Sequence, residues 1–266
     1  YINMIRFAEK KDIPYIKELW DIAFGEEPDF NKYFFDNFFK YEYTLLYIEE
    51  KPVAMLQMMP YTLKGIGAVT YIYGATTHPD YRKNGLMGEL LKKSFEIDKS
   101  RGIKGSVLIP ANQRLFNYYS KFGYETLSYV DTKVMESTNE LKYTVEKPKA
   151  EDLKSMAEIY NSCSEFLIER NEDYFKNQIE MFNALGGEVY VLKDKNIIQS
   201  YAFISELHPL KIQEIISKDK KYDQFFINLH CEKFAEVSSV NGLNPIGMGL
   251  FYGSEKPQFY MNLMLN

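Results

Sequence analysis

The 266-residue sequence has little of what anchors several common classes of protein. Two cysteines, Cys163 and Cys231, cannot build a disulfide framework, and His78, His208 and His230 are scattered without metal-ligand spacing. No apolar run approaches the roughly 20 residues of a membrane helix, and the N-terminus shows no signal-peptide pattern. Basic charge is in deficit. Lys and Arg number 32 against 37 Asp and Glu, a net charge of −5, so DNA or RNA would need a local basic patch to bind. These absences lead us to expect a cytoplasmic protein with no metal, no membrane and no nucleic-acid partner. Tryptophan occurs once, yet there are 22 Tyr and 19 Phe, and 45% of residues are hydrophobic. Most of those rings are expected in a core large enough for one big domain or two smaller ones.

The patterning repeats one plan. A short strand, Met4 to Phe7, precedes a helix whose apolar positions Ile13, Ile16, Leu19 and Trp20 recur at helical spacing. Asp12 is placed to cap that helix, and Pro14 sits in its first turn, where a missing N–H costs little. An aromatic-rich helix over about Asp29 to Phe39 follows, then strands Thr44 to Ile48 and Val53 to Met59 joined by a turn at residues 49–52. The same order returns later. A run at Tyr143 to Val145 leads into helical spacing at Leu153, Met156, Ile159 and Tyr160, then a helix over Asn171 to Phe182. Strands Val189 to Leu192 and Ile197 to Ile204 close the second copy. This self-similarity predicts an α/β protein of two domains, 1–135 and 151–266, with 136–150 as linker.

The chemistry-bearing stretch lies between residues 71 and 124. A β-rich run ending at Ala75-Thr76-Thr77 is followed by His78-Pro79-Asp80, then by Tyr81-Arg82-Lys83-Asn84-Gly85-Leu86-Met87-Gly88 and a long amphipathic helix. Strand, basic glycine-bearing turn and helix start form an anion-collecting arrangement, because free N–H groups and the positive end of the helix dipole face the same point. Gly85 and Gly88 would let backbone approach a pyrophosphate closely. The turn is neither a Walker A loop nor a Gly-x-Gly-x-x-Gly fingerprint. Downstream come a strand at Gly105 to Ile109, then Ala111-Asn112, and Tyr118-Tyr119-Ser120-Lys121-Phe122-Gly123-Tyr124.

Taken together, Arg82-x-x-Gly85-x-Met87, Asn112 and Tyr119-x-x-x-Gly123-Tyr124 resemble the GNAT (GCN5-related) N-acetyltransferase superfamily. Met87 departs from the usual small residue, with Gly88 one position late, a departure similar to the Eis-like branch and its tandem, degenerate second GNAT-like domain. The sterol-carrier-like third domain of that branch is not expected here. The resemblance implies a mixed central sheet flanked by helices in the first domain and a second GNAT-like α/β domain after it. It also implies acetyl-CoA as co-substrate, a small-molecule or peptide amine as acceptor, and direct attack of the amine on the thioester. Backbone groups of Ala75, Thr76 and Thr77 would hold the pantetheine arm and acetyl carbonyl. Residues Arg82, Lys83, Asn84, Gly85, Leu86, Met87 and Gly88 would wrap the pyrophosphate, and Asn112 would bind the cofactor arm or cap the next helix. Tyr119 would protonate the departing thiolate.

The general base is less defined. Glu27, with Glu26 and Asp29, lies in the turn that lines the acceptor site in this superfamily, and that acidic turn would suit a cationic acceptor. The Eis-like branch uses its terminal carboxylate instead, here that of Asn266, beyond an apolar tail expected to be buried. His78 is expected to be a loop residue rather than a base. In the second half, Ser217 to Tyr222 has no glycine where the first half has Gly85, so that copy is expected to bind no acetyl-CoA. Two further classes stay open: a non-catalytic acyl-CoA-binding module and a Fem-type aminoacyl transferase. The pyrophosphate-type loop and the acidic charge balance argue against the latter.

Overall fold

The computed structural model describes residues 4–25, 28–138, 140–229 and 233–264. Its contacts separate into two compact units, 1–127 with 247–257 and 128–246 with 258–266. The first unit runs β1 (Met4–Phe7), α1 (Ile13–Phe24), α2 (Pro28–Asn37), β2 (Thr44–Ile48), β3 (Pro52–Leu63), β4 (Gly67–Thr77), α3 (Leu86–Ser100), β5 (Gly105–Leu108) and α4 (Gln113–Ser120). After β6 (Glu125–Glu136) the second unit runs β7 (Thr144–Glu146), α5 (Leu153–Ser162), α6 (Glu172–Ala184), β8 (Glu188–Asp194), β9 (Ile197–Leu207), β10 (Leu210–Ser217) and α7 (Gln224–Leu229). β11 (Phe234–Phe251) follows, and its end from residue 247 belongs to the first unit. These bounds differ from the expected 135 and 151, and the stretch 136–150 contains β7. The segment 247–257 joins the first unit because β11 returns to pair antiparallel with β5, Met248 opposite Leu108 and Phe251 opposite Gly105.

The two units repeat one topology. In the first, β1, β2, β3 and β4 pair antiparallel in order, and β4 pairs parallel with β5. In the second, β7, β8, β9 and β10 do the same, and β10 pairs parallel with β11. The crossover is where they part. α3 fills it with 15 residues, α7 with 6.

Local sequence explains most of these elements. α1 buries Ile16, Leu19 and Trp20 on one face, has Pro14 in its first turn, and stops at Gly25, whose φ is +71°. α6 is capped by Asn171, whose side chain accepts the Tyr174 N–H at 2.9 Å. Lys195 and Asn196 take left-handed backbone between β8 and β9, the twist a two-residue hairpin demands. Asp12 does not cap α1 as expected. Its carboxylate accepts the Glu9 N–H at 2.8 Å and a two-point bond from Arg6 at 2.7 and 3.0 Å. The second unit repeats the device with different residues: Asp152 accepts the Lys149 N–H at 2.8 Å and pairs with Lys193 at 2.9 Å.

Each unit has its own apolar core. α3 contributes Leu86, Leu90 and Leu91 to a cluster with Leu45, Leu56, Ile72, Leu108, Tyr119 and Tyr124. α7 contributes Phe225, Phe226 and Ile227 to a cluster with Ile204, Ile212, Ile215 and Val237. The tail of the second unit is buried from Phe259 to Met264, as expected, while Asn266 lies outside the described residues. An ion pair fixes that tail. Arg170 and Glu214, both fully buried, join at 2.5 and 3.0 Å, and Arg170 also donates to the Asn262 carbonyl at 2.6 Å. Tyr201 and Tyr260 donate to the same carboxylate at 2.9 and 2.8 Å. No helix among the described residues is long and apolar enough to cross a membrane.

Two stability outcomes follow. Glu214→Gln leaves the buried Arg170 guanidinium uncompensated and is expected to cost about 3–5 kcal/mol in urea unfolding, whereas Arg170→Met with Glu214→Leu costs less than the sum of the single changes. Burial opposes ionisation of Asp12, but the Arg6 hydrogen bond and the Glu9 amide outweigh it and hold its carboxyl below the usual range. A depressed acid stabilises the fold above its unfolded pKa and ceases to do so as pH falls through its folded pKa. Asp12→Asn should therefore flatten the loss of melting temperature below about pH 4.

Candidate active site

β4 and β5 pair over three residues, Val69 to Tyr71 against Gly105 to Val107. Beyond Tyr71, β4 continues to Thr77 still paired with β3, while its other edge has no strand partner among the described residues. Alternate backbone N–H and C=O groups along Ile72 to Thr77 therefore face an opening between parallel strands. A bulge marks the same place. Met55 pairs with Thr76 and Gln57 with Tyr73, so Gly74 and Ala75 together oppose Leu56. Gly74 has φ +58°, and a Cβ there would come within 3.0 Å of the Trp20 ring, so both backbone and packing require glycine. This position was not singled out in the sequence; the Tyr-Gly-Ala break in a β-branched run was the available signal.

The turn after β4 closes on itself. The His78 N–H donates to Val53 O at 2.9 Å, and Arg82 Nε donates to Thr77 O at 3.1 Å. Lys83 and Gly85 both take left-handed backbone, φ +67° and +80°. α-Helical bonding starts with Glu89 N–H to Gly85 O at 3.1 Å, so the amides of Leu86, Met87 and Gly88 have no acceptor within α3. Arg82, Lys83, Asn84 and Gly85 are exposed, Met87 is half-buried, and Leu86 and Gly88 are buried. The two glycines have different tasks. Gly85 has open space around it, and its requirement is conformational; a Cβ on Gly88 would meet the Phe122 ring at 2.9 Å. Gly88 thus brings α3 against the segment after α4.

Tyr119, on α4, is 8% exposed, and its ring meets Tyr118 at 5.4 Å and Tyr124 at 5.8 Å between centroids. Its hydroxyl has no hydrogen-bond partner among the described residues. Burial, with Tyr118 adding to it, pushes its pKa up to about 12. Tyr124 is held from the other side by Ser106 at 2.6 Å. Asn112 is the N-cap of α4, accepting the Leu115 N–H at 3.2 Å. Its oxygen is thereby engaged and its amide nitrogen left over. Thr76 is buried with an unpartnered hydroxyl, while Ala75 and Thr77 are half-buried. Glu27 and Glu26 lie outside the described residues, as do His230 and Cys231. His78 is built as a link: Nδ1 accepts the Asp80 N–H at 3.3 Å, and Nε2 lies 3.4 Å from Glu18. No group of three or more metal-ligating side chains occurs among the described residues.

Residues 4–127 match the family model described as an acetyltransferase (GNAT) domain. No curated protein matches the chain in sequence. Among solved structures, a GCN5-related N-acetyltransferase from Anabaena variabilis is similar at TM-score 0.75 and 17% identity, over 95% of this chain and 73% of that one. Eis1 from Mycobacterium abscessus is similar at TM-score 0.66 and 12% identity, over 94% and 73%. N-myristoyltransferase from Saccharomyces cerevisiae, solved with bound myristoyl-CoA, is similar at TM-score 0.60 and 10% identity, over 97% and 80%. Residues 4–127 are therefore a GNAT acetyltransferase domain, and the mixed α/β fold of the chain is the one these enzymes share.

The division of labour between the glycines is measurable. Gly88→Ala should lower the melting temperature and be rescued in part by Phe122→Leu, since the cost is a collision. Gly85→Ala should cost about 1–2 kcal/mol with no rescue by any neighbour, since the cost is backbone conformation.

Proposed function

We propose that the protein transfers the acetyl group of acetyl-CoA to a primary amine. The observation that carries this reading is the open β4 edge at Ile72 to Thr77, in the same unit as the free amides at the start of α3 and an unbonded tyrosine hydroxyl, with Ile72, Leu86 and Tyr119 in one apolar core. The residues present fit acetyl-CoA. The amides of Leu86 to Gly88, the α3 dipole and the exposed Arg82 and Lys83 suit a pyrophosphate. The β4 edge offers strand-like hydrogen bonds to the amides of the pantetheine arm. The leftover amide nitrogen of Asn112 suits a carbonyl of the same arm.

The reaction follows from what these groups can do. An amine lone pair attacks the thioester carbonyl, and the N–C bond forms while negative charge gathers on the carbonyl oxygen, where β4 N–H groups stabilise it. As the C–S bond breaks, Tyr119 gives its proton to the departing sulfur. The excess proton on nitrogen leaves to solvent, and Tyr119 is reprotonated; the products are the N-acetyl amine and free CoA. With its pKa near 12, Tyr119 holds its proton across the whole working range, which suits an acid and not a base.

The second copy does not share this equipment. Between β10 and α7 it has Lys218 to Asp223, with no glycine, and the helix that follows has six residues. It is assigned no acetyl-CoA site. A cytoplasmic setting agrees with this reading.

The test is release of free CoA from acetyl-CoA, followed with a thiol reagent across a panel of amines. Amine-dependent release is expected, with Tyr119→Phe lowering kcat by about 10²–10³-fold while acetyl-CoA affinity is kept. The rate should rise with pH as the amine deprotonates and show no alkaline fall below about pH 10. Tight acetyl-CoA binding without release for any amine would make the protein a binding module instead.

A further inference from the structure

The parting of β4 and β5 has a counterpart in the second unit. β10 pairs parallel with β11 over three residues only, Leu210 to Ile212 against Ala235 to Val237. It then continues to Ser217 paired with β9, while its other edge has no strand partner among the described residues. A bulge again falls just past the parallel stretch. Ile212 pairs with Ile204 and Glu214 with Phe203, so Gln213 has no counterpart in β9.

The segment Gln258–Met264 meets β10 at that bulge. Asn262 Nδ2 donates to the Gln213 carbonyl at 2.9 Å, while Asn262 Oδ1 accepts the Leu263 N–H at 2.9 Å. Both ends of this amide are thus assigned by backbone partners. Tyr260 donates to Glu214 at 2.8 Å, Arg170 donates to the Asn262 carbonyl at 2.6 Å, and the Tyr174 hydroxyl donates to the Leu263 carbonyl. Between α5 and α6 the segment adds one rung of backbone: Tyr260 N–H to Phe166 O and Ile168 N–H to Tyr260 O, both 3.0 Å. Residues 259–264 are each 4% exposed or less. The apolar cluster to which α7 contributes nevertheless contains none of them. Leu263 takes left-handed backbone, φ +49°, which a bulky residue adopts only where its surroundings impose it. Gly253 to Lys256, which lead into the segment, are exposed, as is Gln258.

We propose that the second unit carries a peptide-binding slot at the β10 bulge, that its ligand is an extended peptide bearing Tyr-x-Asn, and that residues 258–264 occupy it in cis. The slot is independent of the acetyltransferase reading, because every contact lies within the second unit. Backbone bonds at Phe166 and Ile168 set the register of the peptide without reading its side chains, as when a strand is added to an exposed edge. Two side chains read the sequence. The Asn262 amide matches the Gln213 carbonyl, and a carboxylate there would set acceptor against acceptor. The Tyr260 hydroxyl completes the shell of Glu214, which Arg170 and Tyr201 bond at 3.0 and 2.9 Å. Tethered at an effective concentration on the order of millimolar, the segment keeps free peptides of the same form out.

The experiment inserts a protease site between Ser254 and Glu255 of the full chain, cuts it after folding, and follows by anisotropy the binding of a peptide of residues 258–264 labelled at Gln258. The cut chain is expected to exchange its own segment for the labelled peptide, and the uncut chain to bind that peptide at least about tenfold more weakly. Unlabelled peptides carrying Asn262→Leu or Tyr260→Phe should compete at least about tenfold less well than the native sequence, since each leaves a buried polar group of the slot unpaired. The cut chain should keep a cooperative melting transition throughout the exchange. Equal competition by the Asn262→Leu peptide, equal binding by cut and uncut chains, or unfolding when the segment leaves would each overturn the slot. Should the insertion prevent folding, Asn262→Leu in the intact chain is expected to speed amide exchange at Ile168 and Tyr260 at least about tenfold. Unchanged exchange at both amides would overturn the slot as well.

Discussion

The chemistry proposed for the first unit depends on β4 and β5 ceasing to pair after three residues. Parallel strands that stayed in register would use up the backbone groups of Ile72 to Thr77 within the sheet. Because they part, that edge is free, and two devices keep it so. The bulge at Gly74 and Ala75 bends β4 away while it stays bound to β3, and Trp20 packs on Gly74 too closely for any side chain to replace the glycine hydrogen. On the other side, β5 pairs antiparallel with the end of β11, Met248 to Phe251 against Leu108 to Gly105. The opening is thus a consequence of strand topology, and Ile72, Leu86 and Tyr119 share one apolar core with it.

The tandem repeat shows what happens when the same plan lacks those parts. β7 to β10 and the start of β11 pair as β1 to β5 do, and the aspartate that braces the 3-10 turn before the first helix recurs as Asp12 and Asp152. The partner differs, an arginine from β1 in one copy and a lysine from β8 in the other, so geometry has been kept while residues have changed. The crossover helix shrinks from 15 residues to 6, and with it goes a strong N-terminal dipole and any glycine turn before it. Arg170, Glu214, Tyr201 and Tyr260 satisfy one another around the chain's last described residues.

The sequence made local structure legible wherever a short-range signal decides it. Apolar spacing in α1, α3 and α5, the turns between paired strands, Asn112 as a cap and the strand-turn-helix around Gly85 were all readable from neighbours in the chain. Misreadings occurred where distant residues decide. Asp12 looked like a helix cap because Arg6, its actual partner, comes from a strand, and the packing of Gly88 on Phe122, 34 positions away, could not be read from neighbours in the chain. Neither β6 nor the long β11 was evident, and the return of β11 adds residues 247–257 to the first unit.

The central claim is that one copy of the repeat holds acetyl-CoA, at the parted strands and the start of the long helix, and that its twin does not. Amide hydrogen exchange with and without saturating acetyl-CoA measures this at both places in one sample. The account predicts slowed exchange at Ala75 to Thr77 and at Leu86 to Gly88, with residues 217–229 unchanged. Protection at 217–229, or none at either segment of the first unit, would contradict it.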